Sequence, residues 1–550
     1  MARQLRNMIK SRVKSFYFIS AMIFLGLVGR LYYIQIYDSE DLKFQGLKQR
    51  SIEINLMSKR GTIYDRNGIP ITNRDITKVL IAPGEIIANN KELYEKVKEN
   101  TTLSLAEMNE VLKSQNKLVQ IPLKREIDIE DNHNMFIVDI TERYSKDNIL
   151  SHVIGYVNKA ENRGEFGIEK VYDEFLNKSD RESLFVEYDK SKSLVLGSSY
   201  YADNAISSEE PSAVKLTIDY NIQKKLEEIL DQNRINGSVI VADVKSAEIL
   251  AMGSRPSFNP NHMEQYFTRN DMVLYNKAVQ VSYPPGSIFK IAVLLAALEE
   301  DENFMNREFY CKGYEELGKL VINCNNIYGH GHISLKDGFA KSCNSVFIQI
   351  GKEIGAKKII DMAKTLGFGE KVGIGLIEEV EGILPEGEEL LGPAIGNISI
   401  GQGKLEATPL QITNMLLAVA NNGIQKDMTI VQGITNKDGR IIKAYNTIDD
   451  LKIISNKSSK IVRELLEEVV NTGTAKNIDA KYLGGAAGKT GSAEGTLNGK
   501  PTIYGWFAGY FPIDDPQYVI TVLVEEANSG SKSALPIFEK ISKEIISLNR

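Results

Sequence analysis

Histidine and cysteine are scarce in this chain of 550 residues, five and three respectively, so their positions say more than their number. Tryptophan occurs once, at Trp506, which decides nothing by itself. There is no excess of positive charge: a formal net charge of −6 removes the reason to expect a nucleic-acid partner. The sequence contains no internal repeat and no low-complexity tract. Beyond residue 37 no apolar run is long enough for a second membrane span. What is present, 43% hydrophobic and 25% charged residues, is the composition of a folded globular protein. The length is too great for one ordinary domain and calls for roughly two or three.

Acid is also missing from the start of the chain, where none occurs before Asp38. Arg3, Arg6, Lys10, Arg12 and Lys14 precede the uncharged, mostly apolar run Phe16–Gly29, which continues after Arg30 as LYYIQIY. As a helix, Phe16 to Ile36 would be about 30 Å long, the thickness of a bilayer core. The basic flank then belongs in the cytoplasm, Tyr32, Tyr33 and Tyr37 suit the far interface, and Arg30 can snorkel. A cleaved signal peptide and a buried core helix are the rivals. No small-x-small cleavage site follows the run, so the expectation is a basic tail over 1–14 and an uncleaved anchor over 15–37. The rest would lie outside the cytoplasm.

Past the anchor, the NG step and alternating apolar residues of SKRGTIYDRNGIPIT (Ser58–Thr72) predict a hairpin. Strand-like runs and charged helices follow to about residue 210 with no catalytic cluster, and GEFGIEKVYDEFL (Gly164–Leu176) sets glycines before a short helix. The serine-rich stretch Lys190–Pro211 reads as a boundary, giving an N-terminal domain over 38–210 and a second domain over 211–550. The second opens with VKLTIDYNIQKKLEEIL: a strand, an Asp219 N-cap and an amphipathic helix. Two strands follow in Gly237–Ser254, and two more come from YGWFAGYFP and QYVITVLVEE near the end. This pattern predicts an α+β domain whose sheet is assembled from both ends of the segment, with helices from the middle packed on it.

Three short motifs carry candidate chemistry. In YPPGSIFK, Pro284, Pro285 and Gly286 keep the chain out of a helix, so Ser287 falls at a helix N-terminus with Lys290 one turn along the same face. A serine hydroxyl needs a base beside it, and a buried lysine of lowered pKa can serve. Free N–H groups at the helix end can meet an oxyanion. S-x-x-K alone is common by chance. In Ser342-Cys343-Asn344, Ser342 can relay a proton and Asn344 can bind a substrate amide; alone, the motif would read as a polar N-cap. In Lys489-Thr490-Gly491-Ser492, the lysine and hydroxyls can hold a carboxylate, Gly491 lets a ligand backbone approach the strand edge, and the Ser492 N–H can complete an oxyanion hole. GKT also fits the end of a phosphate loop, but the required first glycine falls on Leu483.

In this order the three motifs resemble the active-site set of penicillin-binding proteins and serine β-lactamases. RGTIYDRNG and GEFGIEK narrow the likeness to class B penicillin-binding proteins, as do TIDYNIQ, ISIGQGKLEATPLQ (Ile398–Gln411), GKTGSAE and YGWFAGYFP. The resemblance implies an α+β protein with one N-terminal transmembrane helix, a β-rich pedestal or dimerisation domain, and a transpeptidase domain. That domain would have an antiparallel sheet with helices on both faces and an all-helical subdomain. It implies a serine-type D-Ala-D-Ala transpeptidase acting on stem peptides of the lipid-linked precursor polymer, in elongation, division or sporulation. Ser287 is then the nucleophile, Lys290 the base, Ser342, Asn344 and Lys489 further catalytic groups, and Thr490, Gly491 and Ser492 substrate-binding. β-Lactams would acylate Ser287. Because 38–210 shows no glycosyltransferase, a membrane polymerase of the SEDS type is the implied partner. No cofactor is needed for the chemistry, and no PASTA repeats are expected.

The window CKGYEELGKLVINCNNIYGHGH places Cys311, Cys324, His330 and His332 together. Two thiolates and two imidazoles make a tetrahedral zinc set, and H-x-H on a strand puts both rings on one face. A Cys311–Cys324 disulfide is the main rival, and two free thiols a third reading. Such a zinc would be structural, and a carboxylate such as Asp337 could replace one ligand. Cys343 is expected to pack as a small buried residue.

Overall fold

A computed structural model describes residues 1–39, 42, 45–46, 51–55, 60–113, 118–128, 135–177, 181–187, 201–203, 210–445 and 450–548. The apolar start of the chain forms one helix, α1 (Ala2–Tyr32), prolonged by a wider turn over Tyr33–Tyr37. Leu5–Tyr37, with a mean hydropathy of 1.6, is the one helix among the described residues long and apolar enough to cross a membrane.

The chain divides into two compact units. One comprises Met1–Ser58, Ile76–Thr141 and Asp180–Ala205, the other Lys59–Asp75, Glu142–Ser179 and Ile206–Arg550. Strands Leu118–Leu123, Thr72–Pro83 and Phe136–Tyr144 lie side by side in that order, and all but residues 72–75 and 142–144 of them belong to the first unit. Two helices, Lys91–Asn100 and Leu105–Lys113, cover one core: Leu93 with Val97 and Met108 with Leu112 are i, i+4 pairs buried with Leu80, Ala82, Val119 and Ile121. The Asn90 side chain caps the first of them by accepting the Leu93 N–H at 3.1 Å.

The compact units change over at 205/206, close to the boundary expected at 210, but part of the expected N-terminal domain lies in the larger unit. Residues 59–75 and 142–179 belong to the unit that also holds 206–550. Ile63–Tyr64 pairs in parallel with Ala213–Leu216, and the Leu150 N–H donates to Glu227 Oε1 at 2.7 Å, while a buried charge cluster joins the two segments to each other. Arg60 donates to Glu169 Oε2 and Asp173 Oδ1, both at 2.7 Å, and Arg143 donates to Glu169 Oε1 at 2.7 Å. The hairpin predicted over Ser58–Thr72 is present from Arg60 onward, closed by Asp65 N–H to Ile69 O and Ile71 N–H to Ile63 O at 2.8 Å each; Ser58 and Lys59 lie outside the described residues. Most of the serine-rich stretch 190–211 does too.

The larger unit is built on a five-stranded antiparallel sheet. Its strands are β1 (Gly237–Asp243), β2 (Ile249–Arg255), β3 (Ala487–Leu497), β4 (Lys500–Phe511) and β5 (Tyr518–Val524), in the order β2-β1-β5-β4-β3. As the sequence pattern predicts, both ends of the segment contribute. Helix α2 (Tyr220–Gln232) is capped by Asp219, which accepts from Asn221 and Ile222 N–H. Its Leu226 and Leu230 press on Gly253, where a Cβ would come within 2.5 Å of Leu226. Helices lie on both faces. Phe538 of the last helix (Leu535–Leu548) packs edge-on against Phe507, whose cross-strand partner is Val522. The neighbouring Thr521 points the other way and meets Thr413 of the buried helix Pro409–Ala420 at 2.9 Å. A helical group between β2 and β3 includes α3 (Lys290–Glu300), α4 (Leu335–Ala340) and α5 (Asn344–Ile354).

Candidate active site

The Pro284-Pro285-Gly286 breaker does what its chemistry predicts, with one difference. Ser287 lies in a single 3-10 turn, Gly286–Ile288, and the α-helix begins at Lys290. Gly286 adopts φ +55°, a left-handed conformation that favours glycine. Its N–H donates to Gly401 O at 2.9 Å, and Gly401, at φ +70°, leaves no space for a Cβ beside the Gly286 carbonyl. Trp506 is fully buried and donates its indole N–H to Pro284 O at 3.0 Å. The ISIGQG segment and the lone tryptophan thus both brace the serine turn, a role invisible in the sequence because neither is near Ser287 in the chain.

Lys290 is fully buried. Its Nζ donates to Ser342 O at 2.8 Å, Ser342 Oγ at 3.2 Å and Asn344 Oδ1 at 2.8 Å, so the first two motifs meet. Burial pulls its pKa down from 10.5 to about 8, against the opposing pull of Cys343 and Cys324. Ser342 sits between α4 and α5 at φ +56°, unusual for a residue with a Cβ. Its N–H donates to Phe339 O at 3.0 Å, and Asn344 is further held by donating to Asn323 O at 3.0 Å.

The third motif lies on β3, an edge strand. Lys489 is fully buried under the Phe339 ring and donates to Thr490 O at 3.2 Å. Burial and then the charge of Lys290 hold its pKa well below the ordinary lysine value. Of the hydroxyls of this motif, that of Ser492 is exposed and that of Thr490 is buried. Thr490 Oγ1 lies 2.6 Å from Thr474 Oγ1, and exposed Ser492 accepts from Gly530 N–H at 3.0 Å. Thr474 and Gly530 carry no charge or metal-ligand pattern that sequence reasoning could seize on. Gly491 faces the protein itself: a Cβ there would come within 3.0 Å of Ile288 and 3.1 Å of Pro285 O. It lets the serine turn approach the strand.

Four donor atoms, from Cys311, Cys324, His330 and Cys343, lie within 4.8 Å of one another. This differs from the expected set at one position, with Cys343 in place of His332. Strands Glu308–Cys311 and Gly331–Ser334 pair with Cys311 opposite Gly331 and Tyr310 opposite His332. His332 therefore shares the solvent face with Tyr310, ring centroids 5.1 Å apart, while His330 precedes the strand behind the left-handed Gly331. Cys343 takes the vacated place, its Sγ 3.6 Å from Cys324 Sγ. All three cysteines are free, so the Cys311–Cys324 disulfide is not formed. The thiol of Cys343, with help from backbone N–H groups, draws the Cys324 pKa down despite burial. Three thiols and one imidazole are soft donors of the kind that zinc takes.

Comparison with known proteins agrees with this geometry. The penicillin binding protein transpeptidase domain family matches residues 237–543, more than half of the chain. Stage V sporulation protein D of Bacillus subtilis is 29% identical over 566 residues, covering 98% of this chain and 85% of that protein. Peptidoglycan D,D-transpeptidase MrdA of Acinetobacter baumannii is 25% identical over 603 residues, covering 94% and 85%. Two crystal structures share the fold at a TM-score of 0.62. The D,D-transpeptidase domain of an Eggerthella lenta peptidoglycan glycosyltransferase is 24% identical, covering 89% of this chain and 98% of that one. Pseudomonas aeruginosa PBP2 is 22% identical, covering 90% and 96%. The chain belongs to the penicillin-binding protein transpeptidase family.

Proposed function

We propose that this protein is a membrane-anchored peptidoglycan D,D-transpeptidase that works through a serine acyl-enzyme on Ser287. The observation that carries the reading is the convergence on Lys290. A buried amine with a pKa of about 8 lies one turn from Ser287 and is held by both polar groups of the second motif. Ser287 Oγ forms a bond to the carbonyl carbon of the penultimate D-alanine while its proton passes to Lys290. The carbon–nitrogen bond to the terminal D-alanine breaks, and the departing amine takes the proton, with Ser342 as relay. An amine of a second stem peptide then attacks the ester, Ser287 leaves and is reprotonated, and the cross-link is made. Asn344 binds a substrate amide, Thr490 and Ser492 grip the terminal carboxylate, and the N–H groups of Ser287 and Ser492 hold the oxyanion. β-Lactams acylate Ser287 as mimics of the donor.

The basic flank of α1 supports a cytoplasmic N-terminus and an extracytoplasmic catalytic unit. A SEDS-type membrane glycosyltransferase is the proposed partner, supplying the glycan polymer. Cys311, Cys324, His330 and Cys343 would hold a zinc ion whose part is structural, tying the loops that lead into Ser342. In the deciding experiment the detergent-solubilised full chain is treated with a fluorescent penicillin and the adduct is located by peptide mass spectrometry. A stable adduct on Ser287, absent in Ser287→Ala, is expected. Folded protein that takes no label sinks the reading.

A further inference from the structure

A buried ion pair outside the three motifs is formed by Lys277 and Glu525. Lys277 and Glu525 keep side-chain exposures of only 2% and 1%, with Nζ 2.6 Å from Oε2. Removing both charges from water is unfavourable, and apolar residues of the same volume would often hold the fold as well. Their other contacts suggest what the pair is for. Lys277 also donates to Asn236 Oδ1 at 2.6 Å, and Asn236 O accepts from Glu525 N–H at 2.7 Å, which fixes the pair where β1 begins and β5 ends. The second carboxylate oxygen, Oε1, accepts from the Tyr283 hydroxyl at 2.8 Å.

Tyr283 is four residues before Ser287 and is held on every side. Its backbone exchanges hydrogen bonds with Ala407 at 3.0 and 2.9 Å. Its ring meets Tyr504 and Trp506 edge-on, with centroids 5.0 and 6.2 Å away. Trp506 in turn grips Pro284 O. Direct contacts therefore run from the ion pair, through one phenol, to the residues that shape the serine turn, and none of the three side chains belongs to the three motifs.

We propose that Lys277 and Glu525 are positioning residues that set the Ser287 turn through Tyr283. The inference rests on Ser287 being the nucleophile. Reaction at a centre held in near-attack geometry is sensitive to displacements well below 1 Å, so the pair's effect belongs in the rate of bond formation rather than in ligand binding.

The test is rapid-mixing acylation of the detergent-solubilised full chain by a fluorescent penicillin, with thermal unfolding alongside. Tyr283→Phe removes only the hydroxyl. It is expected to lower the limiting acylation rate constant about 10-fold, to change half-saturation less than about 2-fold, and to leave the unfolding midpoint in place. Lys277→Met/Glu525→Leu removes both charges together and should show a similar loss. Adding Tyr283→Phe to that pair should cost nothing more, because the groups act in series. A wild-type limiting rate in Tyr283→Phe overturns the proposal, and so do multiplicative losses in the triple variant or losses that merely follow a fallen midpoint. Wild-type protein with no adduct on Ser287 would overturn the nucleophile assignment itself, which separates that failure from this one.

Discussion

Two lysines are buried in the candidate active site, and the water-free surroundings that make them costly also lower their affinity for a proton. Burial lowers both pKa values, and the proximity of Lys290 lowers that of Lys489 further. For Lys290 the neutral, proton-accepting form gains population as pH rises through about 8. Acylation of Ser287 by a penicillin should therefore accelerate across that range and level off above it. A pH–rate profile of the first acylation step from about pH 6 to about pH 11.5 checks this. A rate still climbing past the ordinary lysine value would show that burial does not tune this amine. The sequence made this pair readable because serine and lysine are three residues apart across one turn. It could not show that the Lys489 ammonium is turned inward, since that depends on Phe339, far away in the chain.

Strand register decides the make-up of the cysteine–histidine cluster. Alternation along a strand predicted that His330 and His332 would share a face, and it failed because the strand starts at Gly331, between them. Periodicity holds only inside an element, and a left-handed glycine resets it. Cys343, from the loop before α5, was legible as a buried residue but not as a neighbour of Cys324. A clear difference between variants follows. The full chain purified without chelator should carry about one zinc, His332→Ala should retain it, and Cys343→Ser and His330→Ala should lose it, as measured by elemental analysis. Loss of metal in His332→Ala together with retention in Cys343→Ser would restore the original set.

At the scale of the whole molecule, composition located loops but not packing partners. The serine-rich stretch looked like a boundary, yet the segments around Arg60 and Glu169 belong to the catalytic unit, where Ile63–Tyr64 pairs with Ala213–Leu216, and they are tied to each other by charges more than a hundred residues apart. Burial alone would raise the pKa of Glu169, but Arg143 and Arg60 outweigh it and hold the carboxylate below its ordinary 4.5. The stability it contributes is thus complete above pH 4.5 and is lost as pH falls below that value. Glu169→Gln leaves two buried guanidinium groups without their shared anion and should cost about 3–5 kcal/mol, read from urea unfolding at neutral pH. A loss under about 1 kcal/mol would mean that the two segments dock by shape alone.

The composition of the central sheet also constrains when the protein can fold. β1 is paired on one side by β2, a few residues on, and on the other by β5, with Gly237 opposite Val524. Until the last strands emerge, the hairpin of β1 and β2 must wait with one apolar edge open, and β3 has no partner before β4 follows it. Sequence-distant pairing of this kind slows folding and leaves unpaired edges vulnerable to aggregation. A chain threaded across a membrane from its N-terminus would thus be anchored long before it could become an enzyme, and its nascent domain would need shielding in between.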